Sequence, residues 1–133
     1  MERKLTTIFA SDVVGFSKMM GIDEQKTLEI LQERREVIDK IIDDFGGVIF
    51  GSAGDSVIAE FSSPLKAAEA AVSVQKAMKT MNQDKNEFEQ MTFRVGINIG
   101  DVMVSGNNLF GDAVNIAARL EAEAKPSGIC VSN

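Results

Sequence analysis

The chain is predicted to be an α+β fold of the ferredoxin-like, split βαβ kind. Three observations carry that reading. Apolar runs of strand length and apolar stripes of helical period follow one another as β-α-β-β-α-β, and a further strand, helix and strand come after. Two long amphipathic stretches flank a glycine-punctuated pair of apolar runs, the pattern of a hairpin between two crossover helices. The 133 residues are 44% hydrophobic and 26% charged, which fits a single domain, 1–133, with a real core.

The first strand is expected over 5–10, in Leu5-Thr6-Thr7-Ile8-Phe9-Ala10. Val13-Val14-Gly15-Phe16-Ser17 then reads as a tight turn leading into a short helix. Residues 23–45 read as a long helix, because Leu28, Leu31, Val37, Ile38, Ile41, Ile42 and Phe45 recur mostly with helical period. Asp23 is suited to cap its start, and Gly46-Gly47 ends it where a left-handed residue is wanted. Its charged run Glu33-Arg34-Arg35-Glu36 is expected to face solvent or a partner. Residues 47–61 read as a hairpin turning within Gly51-Ser52-Ala53-Gly54-Asp55-Ser56.

Ser63-Pro64 has the chemistry of a helix start, and that helix is expected to run to about Met81. Ala67, Ala68, Ala71, Val74 and Met78 would face its core. The polar stretch 82–90 reads as a loop. Residues 91–99 alternate, with Phe93, Val95, Ile97 and Ile99 on one side and Thr92, Arg94, Gly96 and Asn98 on the other, as in a half-buried strand. Gly100-Asp101 is expected to turn that strand into Val102-Met103-Val104. A last helix is expected over 111–123, and Pro126-Ser127-Gly128 leads to a strand at 129–132.

Composition narrows the chemistry. A net charge of −6 argues against non-specific nucleic-acid binding, which needs a basic surface. It leaves a nucleotide substrate open, because a metal can neutralise phosphates locally. The chain has no histidine, which removes imidazole acid–base chemistry. Its one cysteine, Cys130, excludes an internal disulfide, fits a reducing compartment and reads as an inert strand residue. No uncharged stretch approaches the ~20 residues that span a bilayer. The start Met1-Glu2-Arg3-Lys4 lacks the apolar core of a signal peptide. A cytoplasmic location without a membrane segment is therefore expected.

Two aspartates are the first candidates for chemistry. Asp12 follows the first strand and Asp55 sits in the hairpin turn, so both can meet at one edge of the sheet. Converging carboxylates repel unless a cation lies between them, and hard oxygen ligands suit Mg²⁺ or Mn²⁺. The main chain of Val13, Val14, Gly15, Phe16 and Ser17 can make an anion nest at a helix start. Equally, both aspartates can be turn residues bonding to their own backbone. A second candidate is Asn115 with Arg119, four apart on one helix face among small residues. They can orient a ribose and grip a phosphate, or Arg119 can simply pair with Glu123.

Four runs taken together resemble the class III adenylate/guanylate cyclase catalytic domain. They are Thr6 to Ser17, Gly54 to Phe61, Arg94 to Val102 and Phe110 to Glu121, in the family's order and over nearly the whole chain. The resemblance implies a homodimer with sites at the subunit interface. Asp12 and Asp55 would hold two divalent ions, Mg or Mn, and the main chain of Val13–Phe16 would hold a nucleoside triphosphate. Asn115 and Arg119 of the other subunit would orient the ribose and stabilise charge at the α-phosphate. The reaction implied is in-line attack of the 3′-oxygen on the α-phosphorus of ATP, giving 3′,5′-cyclic AMP and pyrophosphate for intracellular signalling.

The family pattern breaks in three places. A purine-reading lysine is usual four residues before the second metal aspartate, where this chain has Gly51. A second purine reader, usually an aspartate, is here Asn108. Asn108 and Ser52 are the remaining candidates for reading the base, so GTP stays open as a substrate. The family's domain also continues beyond the last strand seen here and carries a triphosphate-binding lysine there. This domain is thus expected to lack that segment, with Lys125 the nearest stand-in. A non-catalytic module that dimerises or binds nucleotide remains the rival reading, with a ferredoxin-like protein-interaction domain as a third.

Overall fold

The computed structural model describes residues 2–132. Its elements are β1 (Glu2–Val13), α1 (Phe16–Ile22), α2 (Glu24–Asp44), β2 (Val48–Ala53), β3 (Ser56–Phe61), α3 (Pro64–Asn82), β4 (Phe93–Ser105), β5 (Asn108–Phe110), α4 (Asp112–Glu123) and β6 (Ile129–Val131). The strands form one sheet in the order β2-β3-β1-β4-β5, and β6 adds in parallel to β4. The first four strands and two crossover helices make the expected βαββαβ core, with β1 central between β3 and β4. Of the expected strand-helix-strand addition, the helix and last strand are present as α4 and β6; the strand expected at 102–104 is the end of β4, and β5 stands in its place.

Two cores flank the sheet. On one face Phe9, Val57, Phe61, Phe93 and Val95 pack against Ile38 and Ile42 of α2 and Ala71 and Val74 of α3. On the other, Ile8, Ala10, Val102 and Leu109 pack against Ala113 and Ala117 of α4. The starts of α2 and α3 are capped as their sequences foretell: the Asp23 side chain accepts from Lys26 N–H and the Ser63 side chain from Lys66 N–H.

The structure corrects four expectations. β1 is twice the expected length, because β4 pairs with it from Val104 opposite Glu2 to Phe93 opposite Val13. Gly100-Asp101 therefore makes no turn: both residues stay in the ladder opposite Thr6 and Leu5, and the reversal waits for Gly106, at φ +60°. β4 is also buried on both faces rather than one, since Gly96 and Asn98 lie under α4. Of the four apolar positions expected to share one side of this strand, Ile99, 48% exposed, escapes burial.

The fourth correction is Arg34. It is 2% exposed, not solvated. Its Nη1 donates to the Met91 carbonyl at 3.0 Å and its Nη2 to Asn82 Oδ1 at 2.7 Å. Asn82 Oδ1 also accepts from Met91 N–H at 2.9 Å. The guanidinium thus ties α2 to the end of α3 and the entry to β4, and burial lowers its pKa from the usual arginine value despite the neighbouring Glu33. By contrast Leu28 lies off the buried stripe, where Thr27, Ile30, Leu31, Ile38 and Ile42 sit instead.

Candidate functional site

The site lies where β1 ends and the β2–β3 hairpin turns. Gly54 takes φ +58°, a left-handed conformation that a side-chain-bearing residue adopts at a cost, and so brings Asp55 round the turn. Asp55 Oδ2 then accepts from Val13 N–H at 2.9 Å. That bond joins the hairpin tip to the residue after Asp12, so the two candidate carboxylates share one end of the sheet. Val14 N–H is used just past the β1–β4 ladder, donating to Thr92 O at 2.8 Å. Gly15, at φ +68°, opens α1. In the Val13–Ser17 turn, then, two of the N–H groups expected to meet phosphate already have protein acceptors. Gly15, Phe16 and Ser17 stand at a helix start, where N–H groups have no intrahelical partner.

Asp12 Oδ1 is buried and has no hydrogen-bond partner among the described residues. Arg94, directly opposite on β4, places its Nε 3.6 Å from that oxygen. This is an ion pair without a hydrogen bond, and Arg94 Nε is itself unpartnered. Arg94 Nη1 instead donates to Ala122 O of α4 at 3.2 Å. Glu121 of α4, buried, adds a third carboxyl beside Asp12. Burial first, then hydrogen bonding to Asp12 and the charges of Asp12 and Asp55, push the Glu121 carboxyl up to about 8, with Arg94 opposing.

A row of alternate β4 residues seats α4. Gly96 has no room for a side chain, since a Cβ there would come within 2.3 Å of Glu121 N and 2.4 Å of Ala117 O. Buried Asn98 donates from Nδ2 to Ala113 O at 3.0 Å, and a Cβ at Gly100 would meet Ala113 Cβ at 2.7 Å. Ala113, Ala117 and Glu121 are the buried row of α4. Asn115 and Arg119 lie on its exposed side, half a turn away. Arg119 pairs with Asp112, Nη2 to Oδ1 at 3.3 Å, rather than with Glu123. No hydrogen bond or ion pair joins Asn115 or Arg119 to Asp12 or Asp55 among the described residues.

Residues 2–133 match the family model for the adenylate and guanylate cyclase catalytic domain. This chain belongs to that family. It is 42% identical, over its whole length, to a protein of Rhizobium meliloti (strain 1021) named "Putative adenylate cyclase 3", of which it spans 23%. It is 30% identical over 96% of its length to the receptor-type guanylate cyclase gcy-1 of Caenorhabditis elegans, spanning 13% of that protein. The chain thus covers less than a quarter of either relative. Its fold matches the crystal structure of an adenylate/guanylate cyclase/hydrolase from Silicibacter pomeroyi with a TM-score of 0.92, at 41% identity, covering 99% of this chain and 77% of that one.

In this cyclase domain the donor set fits divalent ions. Asp12 offers an oxygen that makes no hydrogen bond, with Arg94 3.6 Å away, and Asp55 accepts through its Oδ2. No cluster of three or more histidine, cysteine or acidic side chains suited to a metal occurs among the described residues. Ions held by two carboxylates would complete their coordination with water and substrate oxygens, as Mg²⁺ commonly does.

The candidate base readers are placed differently. Ser52 Oγ accepts from Arg35 Nη1 at 3.0 Å and so is tied to α2. Asn108 is exposed on β5, opposite Ser105, and Lys125 is exposed beyond α4. Sequence reasoning passed over Arg94, Gly96, Asn98 and Glu121 as site-shaping residues. A glycine inside a strand is a mark of close backbone approach, and Gly96 and Gly100 carried that signal. No helix among the described residues is long and apolar enough to cross a membrane.

Proposed function

We propose that this domain is a metal-dependent nucleotide cyclase that converts ATP to 3′,5′-cyclic AMP and pyrophosphate as a homodimer. The observation that carries the reading is the Asp55–Val13 bond, which gathers two carboxylates at one sheet end, where Asp12 Oδ1 makes no hydrogen bond. The relative named as an adenylate cyclase, 42% identical, supports ATP as the substrate.

Asp12 and Asp55 would hold two Mg²⁺ or Mn²⁺ ions, which when bound neutralise phosphate charge and acidify the ribose 3′-hydroxyl. The N–H groups of Gly15, Phe16 and Ser17 would face the polyphosphate. Arg94 keeps a positive charge against Asp12 and so tempers carboxylate repulsion. α4 turns Asn115 and Arg119 away from its own sheet, which leaves them accessible to a second copy. There Asn115 orients the ribose and Arg119 meets the charge that grows at the α-phosphate. The 3′-oxygen attacks phosphorus as the bond to pyrophosphate breaks, and proximity within one substrate supplies much of the rate.

Incubating the purified protein with Mn²⁺ and ATP or GTP tests this directly. The expected result is cyclic AMP from ATP, lost by at least about a hundredfold in Asp12→Ala or Asp55→Ala. Full activity in both variants would remove the metal assignment. Gly51, which offers no side chain to a base, favours a second reading, a module that binds nucleotide without turning it over. Metal-dependent ATP binding with no product would support that one.

A further inference from the structure

The cyclase family's base readers are missing at Gly51 and Asn108, yet a charged pair stands on β1 and β3, which lie between the strands that would carry them. Lys4 Nζ of β1 lies 2.7 Å from Glu60 Oε2 of β3. Thr6 Oγ1 donates to the same oxygen at 2.7 Å, and Thr6 is itself buried. Two donors on one oxygen fix the carboxylate and leave Oε1 to accept from another group. The Glu60 side chain is 20% exposed and that of Lys4 47%, so the pair is held but reachable.

The pair lines a cavity of about 400 Å³ whose other walls include Phe50, Val104, Asn107 and Leu109. That size falls in the lower part of the range for small-molecule sites, and apolar walls with a few fixed polar groups are their usual make-up. Its position follows from two features of the sheet. β2 bulges between Ile49 and Gly51, so that Phe50 is an extra residue immediately before the position of the missing lysine. Asn107 and Leu109 flank Asn108 on the other side, and β5 runs on through Gly111 into the helix bearing Asn115 and Arg119.

We propose that Lys4 and Glu60 read the purine base in this cavity, taking over the task left open at Gly51 and Asn108. The inference rests on the cyclase reading above. The Glu60 carboxylate accepts from the exocyclic amino group of adenine, and the Lys4 ammonium donates to its N1. The ring lies against the side chains of Phe50 and Leu109. Guanine in the same pose sets its O6 acceptor against the Glu60 carboxylate and its N1–H against the Lys4 ammonium. Both contacts are then mismatched, and leaving polar groups unpaired is how a site rejects a near-isosteric ligand.

The test is kcat/KM for ATP and for GTP with Mn²⁺ in the unaltered protein, Glu60→Gln and Lys4→Met, with thermal midpoints to confirm folding. An amide in place of the Glu60 carboxylate presents both a donor and an acceptor, so the ATP-to-GTP ratio is expected to fall by about tenfold or more in Glu60→Gln. A fall in the same direction is expected in Lys4→Met, which alters an exposed side chain. Ratios within about twofold of the unaltered protein in both folded variants would overturn the inference while leaving the cyclase reading intact. If the unaltered protein turns over neither nucleotide, the cyclase reading fails separately, and calorimetric titration with ATP and GTP decides the base assignment. A binding preference for ATP that both variants lose supports it. Equal binding of the two nucleotides, or binding of neither, overturns it.

Discussion

At the scale of single residues, the site is a balance of charges around Asp12. One arginine and one further carboxyl, Arg94 and Glu121, lie against it. In the metal-free protein the raised Glu121 pKa has a consequence for stability. Unfolded, Glu121 titrates near 4.5; folded, near 8. Between those values the folded state holds a proton that the unfolded state has lost. The contribution is therefore fully present below about pH 4.5 and lost as pH rises through about 8, by at most about 1.4 kcal/mol per pH unit. Thermal melts of metal-free protein are expected to show a steeper loss of stability from pH 5 to 8 than melts of Glu121→Gln, to the order of that slope. Parallel pH profiles would show that Glu121 is not protonated in the fold.

Arg34 makes the contrasting case. Replacing it by Met removes the donors to the Met91 carbonyl and Asn82 Oδ1, so urea denaturation is expected to show a loss of about 3 kcal/mol. A change under about 0.5 kcal/mol would mean that these bonds add little. The two cases explain what a sequence shows at this scale. The approach of Asp12 and Asp55 to one sheet end was legible because a strand end and a glycine turn can be read locally. Arg34 was not, because a charged residue in a helix reads as solvated. Its burial is decided by Asn82 and Met91, far along the chain, which only the folded topology brings near.

At the scale of elements, the seating of α4 on β4 sets where Asn115 and Arg119 stand. A Cβ at Gly96 meets main-chain atoms of Ala117 and Glu121, which cannot swing aside as a flexible side chain would. Gly96→Ala is expected to push α4 outward, costing about 1–3 kcal/mol in chemical denaturation and lowering kcat with it. Unchanged stability and kcat would show that the helix has slack. The alternation in 91–99 correctly announced a strand, but period-two patterning cannot tell a polar face in water from one under a helix. The glycines of that face were the signal of cover. With Gly100-Asp101 in the ladder, β4 runs on opposite the start of β1. β1 reaches Lys4 only because β4 continues past that dipeptide, which is why the Lys4–Glu60 pair was invisible in the sequence.

At the scale of the whole molecule, the parts divide into two halves. Asp12 and Asp55 gather at the end of β1, whereas Asn115 and Arg119 face away on α4. The order of elements made the fold legible almost entirely. The proposed division of the site between two copies comes from resemblance to a family, since no spacing in one chain says that a second copy completes it. Mixing two inactive variants, Asp12→Ala and Asn115→Ala, tests that central claim most directly. Each alone should form no cyclic AMP from ATP and Mn²⁺. Mixed in equal amounts and allowed to exchange subunits, they should regain about a quarter of the unaltered activity, because half the dimers then carry one intact site. An inactive mixture of two folded, exchanging variants, or full activity in either variant alone, would contradict it.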